Sequence, residues 1–586
     1  MGTFKSQWKL PIIVVVFLFT FWIGEQQTSK LVESKNLQIR EWDSFVSNFL
    51  EEHFAARPVF SVSVGRHEYD GQLPNWSAEG LSTEIERMRL AHKKALAFNP
   101  SLITKEQCFE RKYLIAQLEG EIFWWAEADW PHRNPMFYTS KISPDIYITR
   151  KYASVKERMI AYIRYANNLP AALSQIRSNL KTPLPRTYVE TARGVFTGMV
   201  KLLSQTVPTI FAEVDDEYLQ AQFAIANEQA LQALRDTVSW LDWQRVEARE
   251  NYPLGKQLYL DMLWKTERVD LSLEELKKIG QRDLQRNLTA LTQACSFYAP
   301  GQSISRCVEK VQGNKPQSGA VEAARQQLEG LKTFLLDNNI VSIPGDEKVM
   351  VKEAPPHRRY NLAYISIPGA YEQNLPSIYY IAPPDPQWST SERLAYIPSQ
   401  ADLLFTSVHE VWPGHFLHFL HVNRSRSKLA KFFVSYAFSE GWAHYTEEMM
   451  WDVGLGRGST ENHIGQLLNA LLRNVRYLSS IGLHTEGMSV EESERMFRAY
   501  AYQDPGNARQ QAARGTFDPA YLNYTMGKLM IQRLREDWTA SRGGRLAWKD
   551  FHDRLLSYGG PPIPLVRAAM MDSNFCSHAL PERKMY

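Results

Sequence analysis

Along residues 42–339, apolar residues recur at intervals of three and four, the pattern of amphipathic helices buried on one side. It is clearest over 154–169 and 216–241. Prolines at 170, 183, 185, 208 and 253 fall between such stretches and are read as helix boundaries. Ser272, followed by Glu274 and Glu275, predicts a capped helix start with acidic residues against the helix dipole.

Between 341 and 388 the pattern changes. Residues 348–352, 362–367 and 377–381 are short runs rich in β-branched and aromatic side chains, punctuated by Pro-Gly and Pro-Pro pairs. They predict a small sheet or ribbon. Residues 399–411 then read as a helix with Leu403, Leu404 and Val408 on one side, and a second helix is expected from Pro413 through Leu420. Residues 460–586 return to helical periodicity. The expected fold is mainly α: a large lobed domain with a cleft and a minor β element. Its parts are an N-terminal segment (1–30), a helical lobe (31–340), a β-containing segment (341–400) and a second helical lobe (401–586), with 31–586 read as one domain.

Composition narrows the picture slightly. The chain has 586 residues, 44% hydrophobic and 22% charged, with a net charge of +3, so there is no electrostatic case for nucleic-acid binding. Lys5 and Lys9 precede an apolar run over 10–24, which suits the core of an export signal and is short for a ~20-residue membrane span. No small-residue cleavage site follows, so removal and retention as an anchor both stay open. In either case the body is expected outside the cytoplasm, periplasmic or extracellular, with the membrane touched only through this segment. No cysteine follows the run, so a lipidated N-terminus is unsupported. Cys295 and Cys307 flank a loop-like stretch and are candidates for a disulfide, whereas Cys108 and Cys576 are read as single packed thiols.

Five of the fourteen histidines lie between 409 and 444. His409-Glu410-Val411-Trp412-Pro413-Gly414-His415 is followed by Ser439-Glu440-Gly441-Trp442-Ala443-His444. Imidazole and carboxylate are the usual ligands of a catalytic zinc. Zinc-peptidase helices place two histidines at i and i+4, on one face. Here the i+4 position is Pro413 and the next histidine is at i+6, ~240° round an unbroken helix. Pro413-Gly414 predicts a break that brings His415 back beside His409.

These two segments, with Tyr524-Thr525-Met526-Gly527-Lys528, resemble the bacterial family known as domain of unknown function 885. The resemblance implies a zincin-like (gluzincin) metallopeptidase, related in architecture to the angiotensin-converting-enzyme and oligopeptidase groups. It further implies one zinc ion per chain on His409, His415 and Glu440, with Glu410 as general base. His418 and His444 depart from the family pattern, which usually carries glutamine and leucine there.

The reading is therefore an exported or membrane-anchored zinc metallopeptidase acting on peptides. Glu410, Tyr524 and His444 are its catalytic candidates, Tyr524 as a phenol stabilising a developing oxyanion with Tyr521 and His444 as rivals. Arg509 and Arg514 are weighed as receptors for a substrate carboxylate. A helical di-iron carboxylate protein using Glu410, His415, Glu440 and His444 is one alternative, though a second Glu-x-x-His motif is missing. A non-catalytic membrane-tethered binding protein is the other; no cysteine lies near 409–444 to close a structural zinc site.

Overall fold

The computed structural model describes residues 10–576 except 356, 357, 360, 361, 373 and 573, with side chains from residue 30 onward, residue 31 excepted. Lys5, Lys9 and the side chains of the apolar run thus lie outside the described residues. Among the described residues no helix is long and apolar enough to cross a membrane.

The chain is predominantly helical. The elements that matter below are α1 (Leu10–Ala56), α2 (Lys105–Ile122), α3 (Val155–Asn179), α4 (Glu217–Glu247), α5 (Lys256–Glu267), α6 (Leu273–Tyr298) and α7 (Ala320–Asp337). After these come β1 (Val349–Glu353), β2 (Ala363–Ser366) and β3 (Ser377–Ile381), then α8 (Gln400–Glu410), α9 (His415–Asn423), α10 (Tyr436–Asp452), α11 (Thr460–Ile481), α12 (Pro505–Phe517) and α13 (Asn523–Thr539). Helix starts follow local chemistry. Ser272 accepts the Glu275 amide while the Glu275 carboxylate returns to Ser272, a reciprocal cap repeated at Ser154/Glu157 and Thr104/Gln107.

Pro170 does not end its helix. α3 runs through it to Asn179, because Leu169, Ala172, Leu173 and Ile176 continue the buried face. That packing outweighs the one hydrogen bond the proline forfeits.

The sheet has the order β1-β3-β2, with β1 parallel and β2 antiparallel to β3. All five residues of β3 are buried, as a central strand requires, and β1 and β2 are the edges.

One apolar cluster joins residues from Trp42 to Ala248 and is closed by Leu429, Ala430 and Phe433. A second gathers α7, the sheet and α8 to α10. Two more pack α5 and α6 against α11 and the start of α13. Helix α11 lies between α6 and α8, placing its buried polar side chains directly behind the histidine segment.

Two disulfides are present. Cys295–Cys307 is bridged, and so is Cys108–Cys576, which corrects the expectation of single thiols there. The second bridge spans 468 residues, tying α2 to the C-terminal end, and no sequence spacing could have announced it.

Candidate metal centre

Helix α8 ends at Glu410, and α9 starts at His415 rather than at Pro413 as the sequence suggested. In the intervening turn the Gly414 amide bonds the Val408 carbonyl at 3.0 Å, and the Trp412–Pro413 peptide is cis. The indole of Trp442 donates to the Pro413 carbonyl at 2.9 Å, fixing the turn against α10. A Cβ on Gly414 would stand 1.8 Å from the His409 carbonyl oxygen, so only glycine fits. The break has the expected consequence: the two imidazole rings lie 4.8 Å apart and perpendicular.

Glu440 comes from the second turn of α10. Its Oε2 is 3.3 Å from His409 Nε2 and 3.2 Å from His415 Nε2, and one ligand atom from each residue falls within 4.8 Å of the others. Oε2 is buried and takes part in no aligned hydrogen bond. Two imidazole nitrogens and a carboxylate oxygen converging without bonding one another are what the donor set of a single ion looks like.

The approach of α10 to its neighbour depends on two glycines. A Cβ on Gly441 would meet Gly527 Cα at 2.4 Å, and one on Gly527 would meet the Ala437 carbonyl oxygen at 2.0 Å. Helices α10 and α13 therefore cross nearly backbone to backbone, which brings Tyr524 to the centre. Its ring stacks on His409 at 6.2 Å, and its hydroxyl lies 3.4 Å from Arg514. Lys528, on the same helix, is fully buried between Asp283 (2.9 Å) and Glu448 (3.1 Å) and ties α13 to α6 and α10.

Behind the metal face, His409 Nδ1 bonds Glu447 Oε1 at 2.7 Å, and Glu447 is paired at 3.1 Å with Arg473 of α11. Burial alone would raise the Glu447 carboxyl, but the Arg473 charge, together with the His444 and His409 imidazoles, outweighs it and holds the group well below the usual carboxylate range. Burial likewise opposes a charged His409, yet the Glu440 and Glu447 carboxylates prevail and raise it to about 9. Glu440 is held low by the same imidazoles against its own burial. Glu410 is 9% exposed and shifted upward, chiefly by burial, with a backbone bond to Ile365 of β2 working the other way.

The structure does not bring every candidate here. His444 is not in the converging group: it is wholly buried one turn beyond Glu440, its Nδ1 3.5 Å from Glu447 Oε2, and desolvation pushes it down to about 4. It is a neutral ring packed behind the site. His418 bonds the Gly559 carbonyl and His421 the Ser342 carbonyl, both as packed histidines. Tyr521 is buried with its hydroxyl on Ser479. Arg514 is committed to Asp518 (2.9 Å) and the Tyr436 hydroxyl, and Arg509 is exposed.

In the sequence Glu447 falls at helical spacing from Glu440, as His444 and Glu448 do, and nothing there separates it from them. Nothing in the sequence singled out Arg473 or Ile365, which reach the site from other elements.

No curated protein matches this chain. Two solved structures share its fold. A candidate lipoprotein of unknown function from Shewanella oneidensis has 21% identity and a TM-score of 0.75, covering 91% of this chain and 100% of its own. A candidate lipoprotein from Colwellia psychrerythraea has 15% identity and a TM-score of 0.76, covering 90% and 98%. The profile of one family, described as "Bacterial protein of unknown function (DUF885)", matches residues 58–570, and the chain belongs to that family.

Proposed function

We propose that the protein is a zinc-dependent peptidase acting outside the cytoplasm. The observation that carries this reading is the convergence of His409, His415 and Glu440, with Glu440 Oε2 buried and unbonded between two imidazole nitrogens. Three protein donors leave the fourth tetrahedral position open, as catalytic sites do. Bound there, zinc supplies Lewis acidity, acidifying a water toward pKa ~7 and polarising a carbonyl.

The chain's own residues supply the rest. Glu410 takes the proton of the attacking water and hands it to the leaving amine. A carboxyl whose affinity for protons is raised by burial suits a group that must both accept and donate. The Tyr524 phenol donates to the carbonyl oxygen as negative charge develops. Glu447 fixes the tautomer of His409, leaving Nε2 free as a donor. Edge strand β2 lies beside Glu410, bonded to it through the Ile365 backbone, and an extended peptide can add along that edge.

Two disulfides suit an oxidising compartment, and both solved relatives are described as candidate lipoproteins. With no cysteine near residue 24, the apolar run over 10–24 is the anchor or export signal that this chain offers instead. The di-iron alternative needs His444 in the donor group, and that ring is packed behind Glu447.

The test is metal content and peptide turnover on one preparation. Close to one zinc per chain, with hydrolysis lost on chelation and restored by zinc, is expected. A protein that binds no zinc, or that hydrolyses peptides equally well without it, overturns the reading.

A further inference from the structure

Helix α11 presents two buried arginines one turn apart, each 7% exposed. Arg473 is neutralised by Glu447. Arg476 is not neutralised. Its Nε donates to the Gln511 side chain at 2.8 Å, but no carboxylate among the described residues pairs with it. Its terminal nitrogens have no hydrogen-bond partner, and neither is sealed from solvent. Burial, with the like charge of Arg514 next, pushes its pKa down, as happens to a cation that lacks a counter-ion.

A buried guanidinium is costly to leave unpaired, and proteins seldom do so without an anion to receive. The residue's location says which anion. Its Cζ lies 4.8 Å from the Tyr524 ring, the ring that stacks on His409 at 6.2 Å. One aromatic ring thus separates the unpaired cation from the converging donors. Allowing for the ion pair at one end and the reach from the donors to a carbonyl at the other, one or two extended residues, at about 3.4 Å each, cover the remainder.

We infer that Arg476 is the receptor for a carboxylate of the bound peptide, and that this makes the enzyme an exopeptidase releasing one or two residues from a free C-terminus. Gln511 holds the guanidinium by its Nε, leaving the other nitrogens for the two oxygens of a carboxylate. An acidic side chain near the scissile bond offers the same chemistry, and the experiment separates the two sources. The inference rests on the peptidase reading for the cleavage step and on Arg476 alone for binding.

The probe is a tetrapeptide library, prepared as free acids and as C-terminal amides, and applied to immobilised Glu410→Gln protein and to the same protein carrying Arg476→Gln. Retained peptides are identified by mass spectrometry, and cleavage products of the wild-type enzyme are mapped on both libraries. Free acids are expected to be retained at least ~30-fold better than amides, the advantage collapsing with Arg476→Gln. Arg476→Lys, which keeps the charge but loses the fork, should fall between them.

Retention of amides only when they contain Asp or Glu, again lost with Arg476→Gln, would assign the site to a side-chain carboxylate and overturn the exopeptidase half. Retention that ignores carboxylates, or that is indifferent to Arg476, overturns the inference entirely. Carboxylate-selective retention without any cleavage by the wild-type enzyme would sink the peptidase reading and the exopeptidase assignment with it, and leave the receptor standing. Cleavage of amides and acids alike would leave the peptidase reading standing and overturn the exopeptidase assignment.

Discussion

Glu410 and Glu447 are both buried carboxylates beside His409, and their surroundings divide their tasks. Glu410 has no cationic side chain bonded to it and is shifted upward by burial, whereas Glu447 is locked between His409 and Arg473 and stays ionised. Substituting Glu410→Gln should therefore leave zinc content near wild type and reduce turnover by ~10²–10⁴-fold, measured by atomic absorption and peptide hydrolysis on the same sample. Turnover close to wild type would remove Glu410 from the proton-transfer role. Glu447→Leu should weaken zinc binding by roughly 10–100-fold, because His409 loses the acceptor that orients it. Competitive chelation reads that change, and an unaltered affinity would mean that His409 is held by packing alone. His444 marks the limit of reading residues in isolation. Its spacing from Glu440 suggested a shared face, but the ring lies behind the donors, on the side that α11 covers.

At the scale of elements, the two features that assemble the site are contacts only glycine permits. Gly414 lets the chain turn between α8 and α9, and the Gly441/Gly527 crossing lets α10 and α13 approach until Tyr524 reaches His409. Gly414→Ala would force a methyl onto the His409 carbonyl, so the turn must open and His415 must swing. We expect a stability loss on the order of 2 kcal/mol or more, together with weaker zinc binding, read by thermal melting and chelator competition. An alanine variant with wild-type zinc affinity would show that the turn is not what aligns the histidines. Helix α10 also depends on a distant element. Glu267, the last residue of α5, accepts the Ala437 amide at its first turn, and its other oxygen has no partner. Burial raises this carboxyl to about 7, against an ordinary value of 4.5. With the folded-state value above the unfolded one, the folded protein binds the proton more tightly. The associated stability is complete below about pH 4.5 and is lost as pH rises through about 7. Glu267→Gln should consequently be more stable than wild type at pH 8.5, by on the order of 2–3 kcal/mol, with the gap closing near pH 5. Melting curves across that range test it, and a gap that did not depend on pH would contradict the assignment.

Over the whole molecule, the histidine segment is packed by α7, α10 and α11, and α11 is in turn backed by α6. Cys108–Cys576 adds a covalent tie between α2 and the C-terminal end, where Lys112 also bonds the Phe575 carbonyl at 2.7 Å. Cys576→Ser should cost roughly 2–4 kcal/mol, visible as a lower melting temperature without a reductant and no difference with one. Equal melting under both conditions would mean that the tie does not constrain the unfolded chain.

Helical periodicity, serine caps and β-branched runs are local quantities, and from them the sequence determined the mainly helical class, the capped start at Ser272 and the three short strands. Pro413-Gly414 was enough to foresee that no regular helix joins His409 to His415, since both residues act on their own backbone. Pro170 shows where such reasoning stops, because the face that carries α3 past it is buried by other elements. The convergence of Glu440 with the histidines, the exclusion of His444, the pairing of Arg473 and the isolation of Arg476 were decided only by the tertiary structure. Each depends on which helix lies behind which, and the energy of a buried charge is set by neighbours hundreds of positions away as readily as by those adjacent in the chain.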